Sequence, residues 1–177
     1  MKTWTDLSQI HTPDRIKAMR KDERGYPIPH TVQWIDGKPD FRVIDPEKWM
    51  HAVNNCMCGV CGQKIEGVMA FVGGESSIAN RFFTDLPMHT ECAEYSLKVC
   101  PFIAAPKFSY LLNSGGLQQG EMTVISSVSD KRPSRFGLGL TTGYKLARLM
   151  PQDDLVIWAD PFIAIEWWQK GAKLDVV

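Results

Sequence analysis

The chain has 177 residues, with 20 Lys and Arg against 20 Asp and Glu and a formal net charge of zero. Hydrophobic residues at 44% and charged residues at 23% describe a chain able to bury a core and argue against disorder. The charge balance excludes a global positive field drawing it to nucleic acid or an anionic membrane, while leaving room for a local basic patch.

The longest apolar runs are too short to span a bilayer, and the opening residues lack the continuous apolar stretch of a secretory signal. Four of the five cysteines fall between Cys56 and Cys92. That clustering differs from the scattered, even framework of a secreted disulfide scaffold, and it predicts a reducing, cytoplasmic setting in which thiols stay available to metal.

Residues 1–29 read as a polar arm. Pro13 to Arg24 can start a helix with Thr12 as N-cap and Pro13 at the first helical position, although Ile16 and Met19 offer only a thin apolar stripe. Gly25-Tyr26-Pro27-Ile28-Pro29 then enforces extended backbone. Thr31 to Ile35 and Phe41 to Ile44 are β-branched or aromatic and flank an Asp36-Gly37 turn signal, which predicts a hairpin. Asp45-Pro46-Glu47 reads as an N-cap followed by Pro at the first helical position. A short helix follows, with Trp49, Met50 and Val53 as its buried stripe and an end near Asn54-Asn55.

Cys58-Gly-Val-Cys61-Gly is a tight turn, or knuckle, in which backbone amides can point at thiolates, and Gly59 and Gly62 permit the angles it needs. His89-Thr-Glu-Cys92 supplies a second pair at the same spacing, with 27 residues between the two pairs. Zinc binds thiolate at about 2.3 Å and imidazole at about 2.0–2.1 Å, and a Cys3His set of Cys58, Cys61, His89 and Cys92 fills all four tetrahedral positions. A closed site leaves no place for a substrate water, so this Zn2+ is expected to be structural, with its binding energy spent on folding. Two bland readings compete: small buried thiols, or a redox Cys-x-x-Cys pair. An iron–sulfur cluster would want a fourth Cys, for which Cys56 or Cys100 stands nearby, and a swap of Cys56 for Cys58 as ligand also stays open.

Gly67 to Val72 reads as a strand, residues 75–88 as irregular or weakly extended, and Pro87 to Cys100 as the entry and body of a helix carrying His89 and Cys92 on one turn. Knuckle, strand and ligands at a helix start are the order of a treble-clef zinc finger. A treble-clef nuclease of the HNH class would place a base His between the ligand pairs. Residues 62–88 contain none, and His11, His30 and His51 all precede the knuckle.

Residues 111–120 suggest a loop or hinge. Strands are expected at Met122 to Ser126, Leu155 to Ala159 and Phe162 to Trp168, with Gln169-Lys170-Gly171 as a turn; Leu146 to Met150 fits either strand or helix. Gly137 to Gly143 loosely imitates a phosphate-binding glycine loop but follows no strand, and reads as a flexible turn. The fold class expected is thus α+β: a polar arm (1–29), a hairpin plus zinc module (30–110), and a β-rich part (121–177) packed on it.

Two clusters can meet a partner. Lys131, Arg132, Arg135, Lys145 and Arg148 place five cations within 18 residues with no acid between them, the first three beside Gly and Pro as in an exposed loop; the competing reading is a solvated loop balanced by Asp153, Asp154, Asp160 and Glu166. Adjacent tryptophans on a strand point to opposite faces, so one of Trp167 and Trp168 should reach a surface or an interface.

Arg24 to Pro29, Trp34 to Arg42, the Cys/His quartet, Ala93 to Pro101, and Glu166-Trp167-Trp168 with Gly171-Ala172 together resemble a group of uncharacterised zinc-binding proteins of bacteria and their phages. That resemblance implies a small intracellular accessory protein, phage-encoded in some cases, and transfers no activity. The expectation is a zinc-stabilised binding protein acting on a protein or nucleic-acid partner. Its rival is an enzyme on nucleic acid or a nucleotide, using Glu75, Arg81 and Asp85.

Overall fold

A computed structural model describes residues 6–104, 133–151 and 153–175. The expected loop at 111–120, the strand at 122–126, and Lys131 and Arg132 lie outside the described residues. Within them the chain mixes five short helices with nine strands in open sheets. No helix among them is long and apolar enough to cross a membrane.

Local backbone chemistry sets the first pairing. Asp36 and Gly37 hold φ of 48° and 75°, the left-handed pair that a two-residue hairpin turn requires. They join β1 (Val32–Ile35) to β2 (Lys38–Ile44), with Ile35 opposite Lys38. Before the hairpin, α1 spans only Asp14–Lys17, with Pro13 rather than Thr12 at its N-cap. The longer expected helix does not form: one buried side chain, Ile16, is too little apolar payload, and the backbone turns so that Ile28 N–H donates to the Arg20 carbonyl. The arm is not merely a solvated tail, because Ile16, Tyr26 and Ile28 are all buried.

Helix α2 (Pro46–Asn54) follows the predicted cap, Asp45 accepting from the amides of Glu47 and Lys48. Its buried residues are Ala52 and Val53, whereas Met50 faces solvent. Trp49 is half-buried and donates its indole N–H to the Thr84 carbonyl.

The four-stranded antiparallel sheet runs β3 (Met69–Gly73), β5 (Phe136–Thr141), β8 (Ala164–Gln169), β9 (Ala172–Lys173). A second sheet runs β4 (Phe82–Phe83), β7 (Asp154–Ala159), β6 (Tyr144–Leu149). Leu146 to Leu149 is therefore strand. Residues opposite one another in an antiparallel pair share a face. One face of the larger sheet carries Ala70, Leu138 and Trp168 and packs on α4 (Thr90–Val99). The other carries Phe71, Gly137, Gly139 and Trp167. Phe71 reaches the second sheet, with ring centroids 4.8 Å from Phe83 and 6.0 Å from Tyr144. Burial on both faces explains why β3 reads as an unbroken apolar run without alternation.

The stretch Gly137 to Gly143, expected as a flexible turn, instead contributes the central strand β5. Its glycines serve close approach: a Cβ on Gly137 would lie 2.5 Å from Ile78 Cγ1, and one on Gly139 2.5 Å from Phe162 Cε1. Residues 75–88, expected as irregular or weakly extended, hold β4 at Phe82–Phe83 and also a helix that was not expected, α3 (Glu75–Asn80). The remaining helix, α5 (Pro101–Ala104), follows α4 directly.

Candidate metal centre and neighbouring concavity

The knuckle is a hairpin closed by backbone bonds. Met57 pairs with Lys64, Ile65 N–H donates to the Cys56 carbonyl, Cys58 N–H to Gln63 and Gly62 N–H to Cys58. Gly62 sits at φ 71° with the His30 ring so close that a Cβ would lie 2.7 Å from it. Gly59 donates its N–H to the Pro87 carbonyl at 3.0 Å, and a Cβ there would meet Leu86 Cβ at 2.8 Å. Glycine at this position thus lets the knuckle press against the segment leading into the second ligand pair. That segment is fixed in turn by Met88, which exchanges two backbone bonds with Ala70 of β3. His89 then occupies the N-cap position of α4 and Cys92 its first turn, where the positive end of the helix dipole favours a thiolate.

These elements bring the ligand atoms of Cys58, Cys61, His89 and Cys92 all within 4.8 Å of one another, with Cys58 and Cys92 buried and the other two half-buried. Tetrahedral bonds of the usual lengths would set sulfur–sulfur edges of about 3.8 Å and sulfur–nitrogen edges of about 3.6 Å. Cys61 Sγ lies 3.4 Å from His89 Nδ1. His89 Nε2 stands 3.1 Å from the Lys64 carbonyl, which can only accept, so Nε2 carries the proton and Nδ1 presents its lone pair to the sulfurs. The donor set fits a metal ion.

Electrostatics point the same way. Hydrogen bonds from the Cys58 and Cys92 thiols draw Cys61 far down, while Cys58 is pushed up chiefly by donating to Cys61, and Cys92 by its contacts with Cys58 and then Cys61, with burial adding to both. Three crowded sulfurs cannot all ionise by themselves; a dication removes that repulsion. The backbone amides of Cys61 and Gln63 also donate to the Cys58 and Cys61 sulfurs, the amide arrangement expected of a knuckle. The arm braces this turn from outside, Arg15 binding Gln63 and, at 2.8 Å, Glu91 of α4.

The spare cysteines stand apart from the quartet. Cys56 holds φ 53° and contacts the Tyr144 hydroxyl, and Cys100 caps the end of α4; neither joins the ligand cluster. His30 packs against the knuckle beside Gly62, its pKa lowered chiefly by burial.

The proposed partner residues divide. Trp168 is 5% exposed on the α4 side of the sheet, under Lys98, and is a core side chain. Trp167 is half-buried on the opposite face, with the Arg135 guanidinium 4.4 Å above its ring. Both tryptophans find cover because the sheet is packed on two faces, a situation invisible from strand alternation alone. Arg135 also binds Glu75 at 2.6 Å. Arg148 pairs with Asp153 and leaves the basic cluster.

Sequence reasoning missed a shallow concavity of about 690 Å³ whose lining includes Glu75, Arg81, Arg135, Phe162, Ile165 and Trp167. Glu75 and Arg81, singled out from sequence, meet here; Asp85 is exposed and does not line it. Arg81 is the C-cap of α3 at φ 60° and donates from Nη1 to the Ala159 carbonyl, while its own carbonyl accepts from Ala159 N–H. Its guanidinium also lies 5.5 Å from the Trp158 ring, which Lys145 approaches at 4.3 Å. No sequence signal foretold this meeting, since α3, β5 and the β7–β8 connection converge only through sheet pairing. No protein family, curated protein or solved structure matches this chain.

Proposed function

We propose that the chain is a zinc-stabilised binding protein of treble-clef-like build, whose metal is architectural and whose partner docks on the concavity beside Trp167. The observation that carries this reading is the quartet's geometry. Four soft or borderline donors lie within 4.8 Å of one another, and the Lys64 carbonyl 3.1 Å from His89 Nε2 favours the tautomer whose Nδ1 can ligate. Three thiolates and one imidazole favour zinc over harder ions and leave no vacant position for catalysis. The knuckle hairpin, the Ala70–Met88 pairing and the ligands at the start of α4 support the treble-clef order.

The concavity favours binding over catalysis. Among the described residues, Glu75 is the single carboxylate lining it and is engaged by Arg135, with no described histidine or cysteine beside it to complete an acid–base pair. Metal binding of this kind is folding energy, about 10–16 kcal/mol for structural zinc against total stabilities of about 5–15 kcal/mol. A strong chelator should therefore remove the ion and collapse the cooperative thermal transition, and added Zn2+ should restore it. Retention of the full transition after complete metal removal would overturn the architectural role.

A further inference from the structure

We propose that the partner is single-stranded nucleic acid, held along a track that runs from Arg135 through Arg81 to Lys145; the proposal rests on the binding-protein reading above and names its ligand. Arg81 and Arg135 share one concavity, and Arg81 also lies over Trp158, which Lys145 approaches from the neighbouring strand. Phe82, Trp158 and Lys145 stand opposite one another across β4, β7 and β6 and so form one row on one face. Along this path flat rings and cations alternate: Trp167 under Arg135, then Arg81, then Trp158 with Lys145. Guanidinium planes seated on indole rings offer their outer faces to unstacked bases, and their N–H groups to phosphates. A duplex, whose bases are already stacked, gains nothing from such a row, and an acidic peptide has no use for the rings.

The conformation of Arg81 points the same way. A left-handed C-cap at φ 60° is the position where glycine costs least, yet an arginine stands there and its side chain reaches the concavity. Glu75 holds Arg135 by an ion pair and acts as an internal competitor that a phosphate must displace. With zero net charge the chain has no global positive field, so attraction to phosphate depends on local cations such as these.

The test uses the full, metal-loaded chain and a fluorescein-labelled dodecamer of deoxythymidine, followed by anisotropy over a salt series, with tryptophan quenching as the stacking readout. Three phosphate contacts predict a slope of log K on log salt of about −2, falling by about 0.7 when one cation is removed. Arg81→Gly, which relieves the backbone while deleting the guanidinium, and Arg135→Gln should each weaken binding about tenfold. Glu75→Gln should tighten it several-fold by freeing Arg135. No binding at low salt by a folded, metal-loaded protein overturns the nucleic-acid proposal and leaves the architectural metal standing. So does binding indifferent to Arg81→Gly, or equal binding of an oligoglutamate peptide, which would reassign the track to acidic protein segments. Metal content and melting of the same samples report separately on the reading beneath it.

Discussion

Gly139 is the position at which the placement of β5 can be tested most sharply. An alanine there would set its Cβ 2.5, 2.6 and 2.7 Å from three atoms of the Phe162 ring. Carbon atoms rest at about 3.5–4.0 Å, so the ring must retreat by about 1 Å. Phe162 cannot do so freely, because it packs on Phe83 with centroids 6.1 Å apart. Overpacking of this kind costs about 1–3 kcal/mol, and replacing a strand glycine returns about 0.5–1 kcal/mol. A net loss of about 1–2 kcal/mol should lower Tm by roughly 2–8 °C in a domain of this size. The diagnostic is a double-mutant cycle with Phe162→Ala, measured by urea unfolding of the metal-loaded protein. Removing the ring leaves the new methyl nothing to strike, so the double variant should be more stable than the summed single effects by about 1–2 kcal/mol. Additivity within about 0.5 kcal/mol would mean that Phe162 does not sit on β5 and that the concavity is wrongly built.

The two kinds of cysteine should separate cleanly. Cys61→Ser should lose stoichiometric metal and the cooperative melt, while Cys56→Ser should keep its metal, as elemental analysis and calorimetry of both variants would reveal; equal metal loss from both would bring Cys56 into the ligand set. Because thiolates and a neutral imidazole must be deprotonated to bind, metal should be retained at neutral pH and released as pH falls, a midpoint readable with a zinc-sensitive dye. Asp40 is held below its usual value by its hydrogen bonds from Arg42. Its contribution is therefore present above the unfolded carboxylate pKa of about 3.9 and lost as pH falls through the lower folded value. Asp40→Asn should remove that part of the acid dependence, a small effect since Arg42 is largely exposed; an unchanged acid limb would discount the pair.

Features encoded by neighbours in sequence were legible before the structure. The Asp36-Gly37 turn, the Asp45 cap and the quartet spacing each carry their chemistry within a few residues. The β5 strand was not legible, because two glycines erase its alternation and their purpose depends on Ile78 and Phe162, respectively 59 and 23 residues away from Gly137 and Gly139. Trp168 was expected to compete with Trp167 for the surface on the assumption of a one-sided sheet; the packing of α4 removed that choice. Arg135 was visible as a cation but not as the lid over Trp167, and Arg81 was flagged only as one of several polar residues near the helix. Those roles arise from tertiary convergence alone.

The account turns on the metal site being full and closed. X-ray absorption at the zinc edge on the protein as purified measures this directly. It should return three sulfurs at about 2.3 Å and one nitrogen at about 2.0–2.1 Å, with no oxygen in the coordination shell. A light-atom shell including water, or fewer than three sulfurs, would contradict it.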